Sequence, residues 1–192
     1  VSRRGAVDVD VDVRLALAQP GWEAEAVARL VPEVEDGVVC LVHNAGLLIK
    51  DSALAMDADD VRRVFELNVV VPTALNRLLS PKMRPGSSIR YVGSTLSERA
   101  VPQTASYVVA KHALVGLMRA TCQDAAPRGI HTACVCPGFV DTEMLHAHVK
   151  DADLGALSSR SGHGRLVRPD EIAQLLVSCA DQPVLDGAVI HA

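Results

Sequence analysis

The chain has 192 residues, 49% hydrophobic and 22% charged, the balance of a single globular domain spanning 1–192 with a sizeable core. A formal net charge of −4 and a pI of about 6.0 give no electrostatic reason to expect nucleic acid or an anionic membrane as partner. Aromatics at 3% leave no stacking platform for bases, and no apolar run approaches the roughly 20 residues that span a bilayer.

In chain order, Val1-Ser2-Arg3-Arg4-Gly5 reads as the last turn of a helix with a glycine cap. Val7 to Val13 alternates Val with Asp as a strand, and an Ala/Glu-rich helix follows from about Trp22 to Val34. Val38-Val39-Cys40-Leu41-Val42 is a continuous apolar run, which predicts a strand covered on both faces. A helix from about Asp57 to Leu79 places acidic residues at the positive end of its dipole. Ser88 to Gly93 is the next strand, and a long helix from about Thr104 to Ala125 stops before Pro127 and Gly129. Ile130 to Cys136 is a strand closed by Pro137-Gly138. Met144 to Arg165, with its glycines and serines, reads as a mobile loop and helix. Pro169 opens a further helix in its tolerated first turn, and Ala188-Val189-Ile190 is the last strand. Strands alternating with helices predict an α/β fold, a doubly wound, Rossmann-like parallel sheet.

Such a domain holds its pyrophosphate on a glycine-rich turn after the first strand. No GxxxGxG or GxGxxG occurs in this sequence. The expectation is that the first strand–helix units, roughly 45–55 residues, are absent from this chain.

Five cysteines are odd in number and carry no CxxC or Cys/His pairing. Reduced thiols in a cytoplasmic setting are expected rather than disulfides or a metal site. Cys134 and Cys136 alternate along one strand and should share a face as buried core thiols. His146 and His148, at i and i+2 on a helix, point apart and do not form a metal site.

Tyr107 and Lys111 are spaced i, i+4 in the long helix and leave the same face. An ammonium beside a phenol favours the phenolate and lowers its pKa, as proton exchange with an alcohol or carbonyl oxygen requires. Ser94 lies thirteen residues before Tyr107, at the C-terminal end of a predicted parallel strand, where ligands bind in open α/β sheets. Asn68 sits within a helix. Asn44-Ala45-Gly46 follows one strand and Pro137-Gly138-Phe139-Val140-Asp141-Thr142 another, so all can converge on one edge.

With His43–Gly46 (HNAG, where NNAG is more usual), Asn68, Ser94, the YxxxK of Tyr107–Lys111 and the PGxVxT of Pro137–Thr142, the sequence resembles the short-chain dehydrogenase/reductase family. The resemblance runs over essentially the whole chain. It implies an oxidoreductase that transfers a hydride between NAD(P)(H) and a carbonyl or alcohol substrate, with the choice between NAD and NADP left open. Tyr107 would be the general acid/base, Ser94 a hydrogen-bond donor to the substrate oxygen, and Lys111 the residue that lowers the Tyr107 pKa and holds the nicotinamide ribose. Asn68 would position a water beside Lys111. Asp12, Val13, Asn44, Ala45, Gly46, Pro137, Gly138, Val140 and Thr142 would contact the cofactor. Leu96, Pro102, Gln103, Phe139 and Met144 would line a mostly apolar substrate pocket. The long helix would form a homodimer or homotetramer interface. A different reading, a non-catalytic scaffold acting only in oligomerisation or partner binding, has the missing glycine-rich turn in its favour.

Overall fold

A computed structural model describes residues 13–17 and 19–192. What the sequence predicts for Val1–Asp12, including the first strand up to Val13 and the adenine contact at Asp12, lies outside the described residues. Val13 itself packs against a cluster of Leu15, Trp22 and Ala26.

The first helix, α1, covers Trp22–Arg29 and gives way to a 3-10 turn at Val31–Glu33. It ends sooner than the sequence predicts because Pro32 has no N–H to continue the ladder. Strand β1 is Cys40–His43. Asp57 caps α2 (Ala58–Phe65), its carboxylate accepting from the N–H groups of Asp59 and Asp60. The helix then widens into a π turn at Glu66–Val70 before continuing as α3, Val71–Leu79. Pro72 accounts for the widening, since it cannot donate to the Asn68 carbonyl four residues back and its ring crowds that oxygen. Asn68 therefore sits on an irregular turn, not in the continuous helix predicted.

Strand β2 (Ser88–Val92) leads to the long helix α4 (Ala105–Ala125), and β3 (His131–Cys136) follows. The stretch predicted as a mobile loop and helix contains two helices, α5 (Glu143–His148) and α6 (Asp151–Arg160). Helix α7 (Pro169–Ala180) and strand β4 (Ala188–His191) complete the order.

Among the described residues four strands form a parallel sheet in the order β1-β2-β3-β4. Ile89, Tyr91, Cys134 and Cys136 face Leu114, Val115 and Met118 of α4 on one side of the sheet. Val135 packs with Ile172, Leu176 and Cys179 of α7 on the other. Cys134 and Cys136 are fully buried on one face, as their alternation predicts.

The expectation that Val38–Val42 is covered on both faces is not met. Among the described residues β1 is an edge strand, with Cys40 exposed and Val42 40% exposed. A continuous apolar run reports strand propensity, but its cover depends on what lies beside it. Among the described residues no helix is long and apolar enough to cross a membrane.

Candidate active site

Because β1 to β4 are parallel, His43, Val92, Cys136 and His191 end at one edge, and the segments that follow them meet there. This is the edge at which open parallel sheets bind ligands.

Ser94 follows β2 and caps a 3-10 turn at Thr95–Ser97. Its Oγ accepts from the Leu96 N–H at 3.1 Å, while its own N–H donates to Ser97 Oγ at 3.2 Å. One acceptor position of the hydroxyl is thus engaged within the turn, which orients the group. Tyr107, 8% exposed, stands in the first turn of α4 and is hydrogen-bonded to Ser94. One turn on, Lys111 Nζ donates to the Val92 carbonyl at 2.8 Å and lies 5.4 Å from the centre of the Tyr107 ring.

The electrostatics differ from what the i, i+4 spacing predicts. Burial pushes the Tyr107 phenol up to about 12, against the lowering effect of the Ser94 hydrogen bond. Burial likewise brings Lys111 down to about 8, with the nearby Cys134 and Cys136 acting in the opposite direction. The ammonium is turned toward Val92, and desolvation of the phenol outweighs any help it gives. In this arrangement Tyr107 keeps its proton at neutral pH.

Asn68 is 1% exposed. Its Nδ2 donates to the carbonyls of Leu47 and Val64 at 2.9 and 2.8 Å, whereas its Oδ1 is buried without a protein partner. A Cβ placed on Gly46 would come within 3.0 Å of that oxygen and 3.7 Å of Lys111 Nζ. Gly46, Asn68 and Lys111 therefore share one cradle, which only the smallest residue leaves open. Asn44 and Ala45 are exposed beside it at the end of β1.

A second glycine performs a similar service below Ser94. A Cβ on Gly93 would lie 2.6 and 2.8 Å from the sulfurs of Cys136 and Cys134, which are themselves 3.7 Å apart. Cys134 holds its proton through its hydrogen bond to Cys136. That same bond, with further ones from Ser97 and the Ser94 backbone, holds the Cys136 thiol low.

The residues after β3 are tied by their backbone and leave more of their side chains exposed. Pro137 is buried, and its carbonyl accepts from the Thr95 N–H at 2.9 Å, while Gly138 N–H donates to the Ala192 carbonyl at 2.7 Å. Val140 is half-buried against the α7 side, and Thr142 Oγ1 caps α5 by accepting from the Leu145 N–H at 3.3 Å. Of the predicted substrate contacts, Leu96 is half-buried, and Pro102, Gln103, Phe139 and Met144 are exposed. The structure brings Ser94, Tyr107, Lys111, Asn68 and Gly46 together; the substrate-side residues stand at the rim. Ser97 and Val92 were missed by sequence reasoning. A serine three residues after Ser94 is the one signal that points to the first.

A parallel sheet with a serine, a tyrosine and a lysine gathered at its carboxyl edge defines the class of nicotinamide-dependent oxidoreductases of Rossmann type. Residues 4–191 match the enoyl-(acyl carrier protein) reductase family. The chain belongs to the short-chain dehydrogenase/reductase family, whose cofactor is NAD(P)(H). It is 34% identical over 138 residues to the cyclic-di-GMP-binding biofilm dispersal mediator protein of Escherichia coli, covering 71% of this chain and 57% of that one. It is 28% identical over 172 residues to the 3-oxoacyl-(acyl-carrier-protein) reductase of Vibrio cholerae, covering 87% and 70%. Among solved structures, a blue fluorescent protein from a metagenomic library in complex with NADPH is similar at 27% identity and a TM-score of 0.82, covering 93% of this chain and 72% of that one. The chain thus spans between about half and three quarters of the length of these relatives.

Proposed function

We propose that the protein reduces a carbonyl group, or oxidises the matching alcohol, with NAD(P)(H) as the hydride carrier. The observation that carries this reading is the hydrogen-bonded Ser94–Tyr107 pair with Lys111 beside it. Tyr107 is the general acid in reduction and the general base in oxidation. Held protonated by burial, the phenol is in the form that can give a proton to a carbonyl oxygen. The Ser94 hydroxyl, beside the phenol, would donate to the same substrate oxygen and stabilise charge that develops there.

The cradle of Gly46, Asn68 and Lys111 fits the cofactor's ribose, for it offers an ammonium and an unpartnered carbonyl oxygen beside a glycine with no side chain to cover them. Lys111 would hold the ribose hydroxyls, and Asn68 Oδ1 would hold a water through which the proton is replaced. Asn44 and Ala45, with Pro137, Gly138, Val140 and Thr142, would line the rest of the cofactor site. The cofactor supplies the hydride when bound; the protein supplies orientation and the proton. Leu96, Gln103, Phe139 and Met144 would select an apolar substrate. The exposed Val109 of α4, 50% accessible, supports a homodimer or homotetramer built on that helix, and the five free thiols support a cytoplasmic setting.

Titration with NADH and NADPH, followed by a carbonyl panel with the tighter one, tests the proposal. Tyr107→Phe should abolish turnover while leaving dinucleotide affinity nearly intact, because the ring stays and only the proton is lost. Turnover retained by that variant, or no binding of either dinucleotide by the parent, refutes it.

A further inference from the structure

Helix α4 begins without a cap of its own. Thr104 occupies the N-cap position, but its Oγ1 donates to the Val101 carbonyl at 2.9 Å and makes no bond to the helix. The preceding Gln103 stands at φ 63, in the left-handed region that a non-glycine residue enters at a cost. The chain is thus bent sharply just before the turn that carries Tyr107, and the first N–H groups of a 21-residue helix need acceptors from elsewhere.

Asp51 supplies one. Its carboxylate oxygens lie 3.1 and 3.3 Å from the Ser106 N–H, across 55 residues of sequence. The Asp51 N–H donates to the Gln103 carbonyl at 3.3 Å, and Asp51 and Thr104 form a parallel bridge. Asp51 is only 9% exposed, and a buried carboxylate is stable there because it faces the positive end of the helix dipole. A loop that merely had to pass this point would need its backbone alone. The side chain reaches the residue directly before Tyr107.

We propose that Asp51 is a positioning residue, which fixes the first turn of α4 and so sets where the Tyr107 hydroxyl stands relative to Ser94. The inference rests on the reading of Tyr107 as the proton donor. Displacement of a reacting group by about 1 Å costs on the order of 100-fold in rate, so an anchor one residue away acts on turnover without touching substrate.

The test compares Asp51→Ala and Asp51→Asn in the full chain, with two readouts. The first is the ultraviolet titration of the phenols, assigned with Tyr107→Phe because Tyr91 and Tyr107 are the two tyrosines present. The second is the split between kcat and the cofactor KM. In Asp51→Ala the freed turn admits water, so the Tyr107 phenol should titrate nearer its ordinary value than the parent's about 12. Its kcat should fall on the order of 10- to 100-fold with the cofactor KM nearly unchanged. Asp51→Asn keeps an oxygen that accepts from the Ser106 N–H and should recover most of kcat. A folded Asp51→Ala variant with the parent's titration and kcat overturns the proposal. Should that variant fail to fold, Asp51→Glu, which shifts the carboxylate by one methylene, takes its place: a fall in kcat of about tenfold or more that Asp51→Asn does not show supports the proposal, and parental kcat and titration in Asp51→Glu overturn it. If the parent turns over no carbonyl, the proposed function fails, whereas the phenol titration still reports whether Asp51 holds Tyr107.

Discussion

Two arms meet at the carboxyl edge of the sheet, and they are built differently. The arm from β2 and α4 fixes its polar side chains by hydrogen bonds: Ser94 to Leu96 and Ser97, Tyr107 to Ser94, Lys111 to Val92. Its residues are buried or half-buried. The arm after β3 runs from Pro137 into two helices of 6 and 10 residues, and it presents Phe139 and Met144 at 38% and 36% exposure. Proton transfer demands sub-ångström placement, whereas admission and selection of a substrate demand a surface that can move. The proposed division of labour would follow from which side chains are buried and held on one arm and exposed on the other.

The sharpest way to break this contrast is to strike the fixed arm at its hydroxyl. Ser94→Ala should lower kcat by about 100- to 1,000-fold, the loss expected for one donor to a developing oxyanion. Steady-state kinetics would check it, with dinucleotide affinity by fluorescence as the control. An equal fall in cofactor affinity would mean that the arm does not separate proton handling from binding.

A buried polar chain braces the fixed arm from behind. His43 Nε2 donates to Asn76 Oδ1 at 2.7 Å, Asn76 Nδ2 to the Tyr91 hydroxyl at 2.7 Å, and Tyr91 to Thr121 Oγ1 of α4 at 3.0 Å. Burial lowers His43 to about 4, below its value in an unfolded chain of about 6.5. The stability that this neutral ring contributes is present above about pH 6.5 and is lost as the pH falls through about 4. The loss is on the order of 3 kcal/mol. Denaturant unfolding at a series of pH values should show that slope in the parent and a flatter one in His43→Asn. Parallel slopes would remove His43 from the brace.

Gly93→Ala attacks the same arm from beneath. The new methyl carbon would sit 2.6 Å from Cys136 Sγ and 2.8 Å from Cys134 Sγ, neither of which can swing away from a fully buried strand. Overpacking of this kind costs about 1–3 kcal/mol. Thermal unfolding should register the cost, and Cys136→Ala in the same chain should return part of it. No recovery in the double variant would show that the backbone turn, rather than the sulfur, sets the constraint.

Much of the fixed arm was legible in the sequence, and much of its support was not. The i, i+4 spacing of Tyr107 and Lys111 is a property of one helix, and the alternation of Cys134 and Cys136 a property of one strand, so local periodicity reports both. Ser94 was found because a parallel strand must end at the binding edge. The direction of the Tyr107 shift is not legible in the sequence, because it depends on burial by distant elements and on Lys111 turning to Val92, neither of which spacing encodes. The π turn at Asn68 could have been anticipated from Pro72, four residues on, and the early end of α1 from Pro32. The exposure of β1 could not, since an apolar run looks the same on an edge as inside. Asp51 reaches Ser106 across 55 residues of chain, a contact that no local pattern announces.

The smallest expected effect belongs to the open arm and sharpens the contrast from its other side. Phe139 is 38% exposed, and its carbonyl accepts from the Val167 N–H at 2.9 Å. That bond depends on the backbone and survives truncation of the ring. Phe139→Ala should therefore leave the arm's course unchanged and remove only apolar contact area at the rim. Loss of a partly exposed ring forfeits roughly 1–2 kcal/mol of contact with a bound apolar substrate. That amounts to a rise of about 5- to 30-fold in KM, with kcat close to the parent's. A carbonyl series of increasing chain length would read the effect, since the KM difference between parent and variant should grow with the substrate's apolar area. A fall in kcat instead, at constant KM, would place Phe139 among the groups that act in the transition state, and the division between a fixed proton-handling arm and an open selecting arm would then fail.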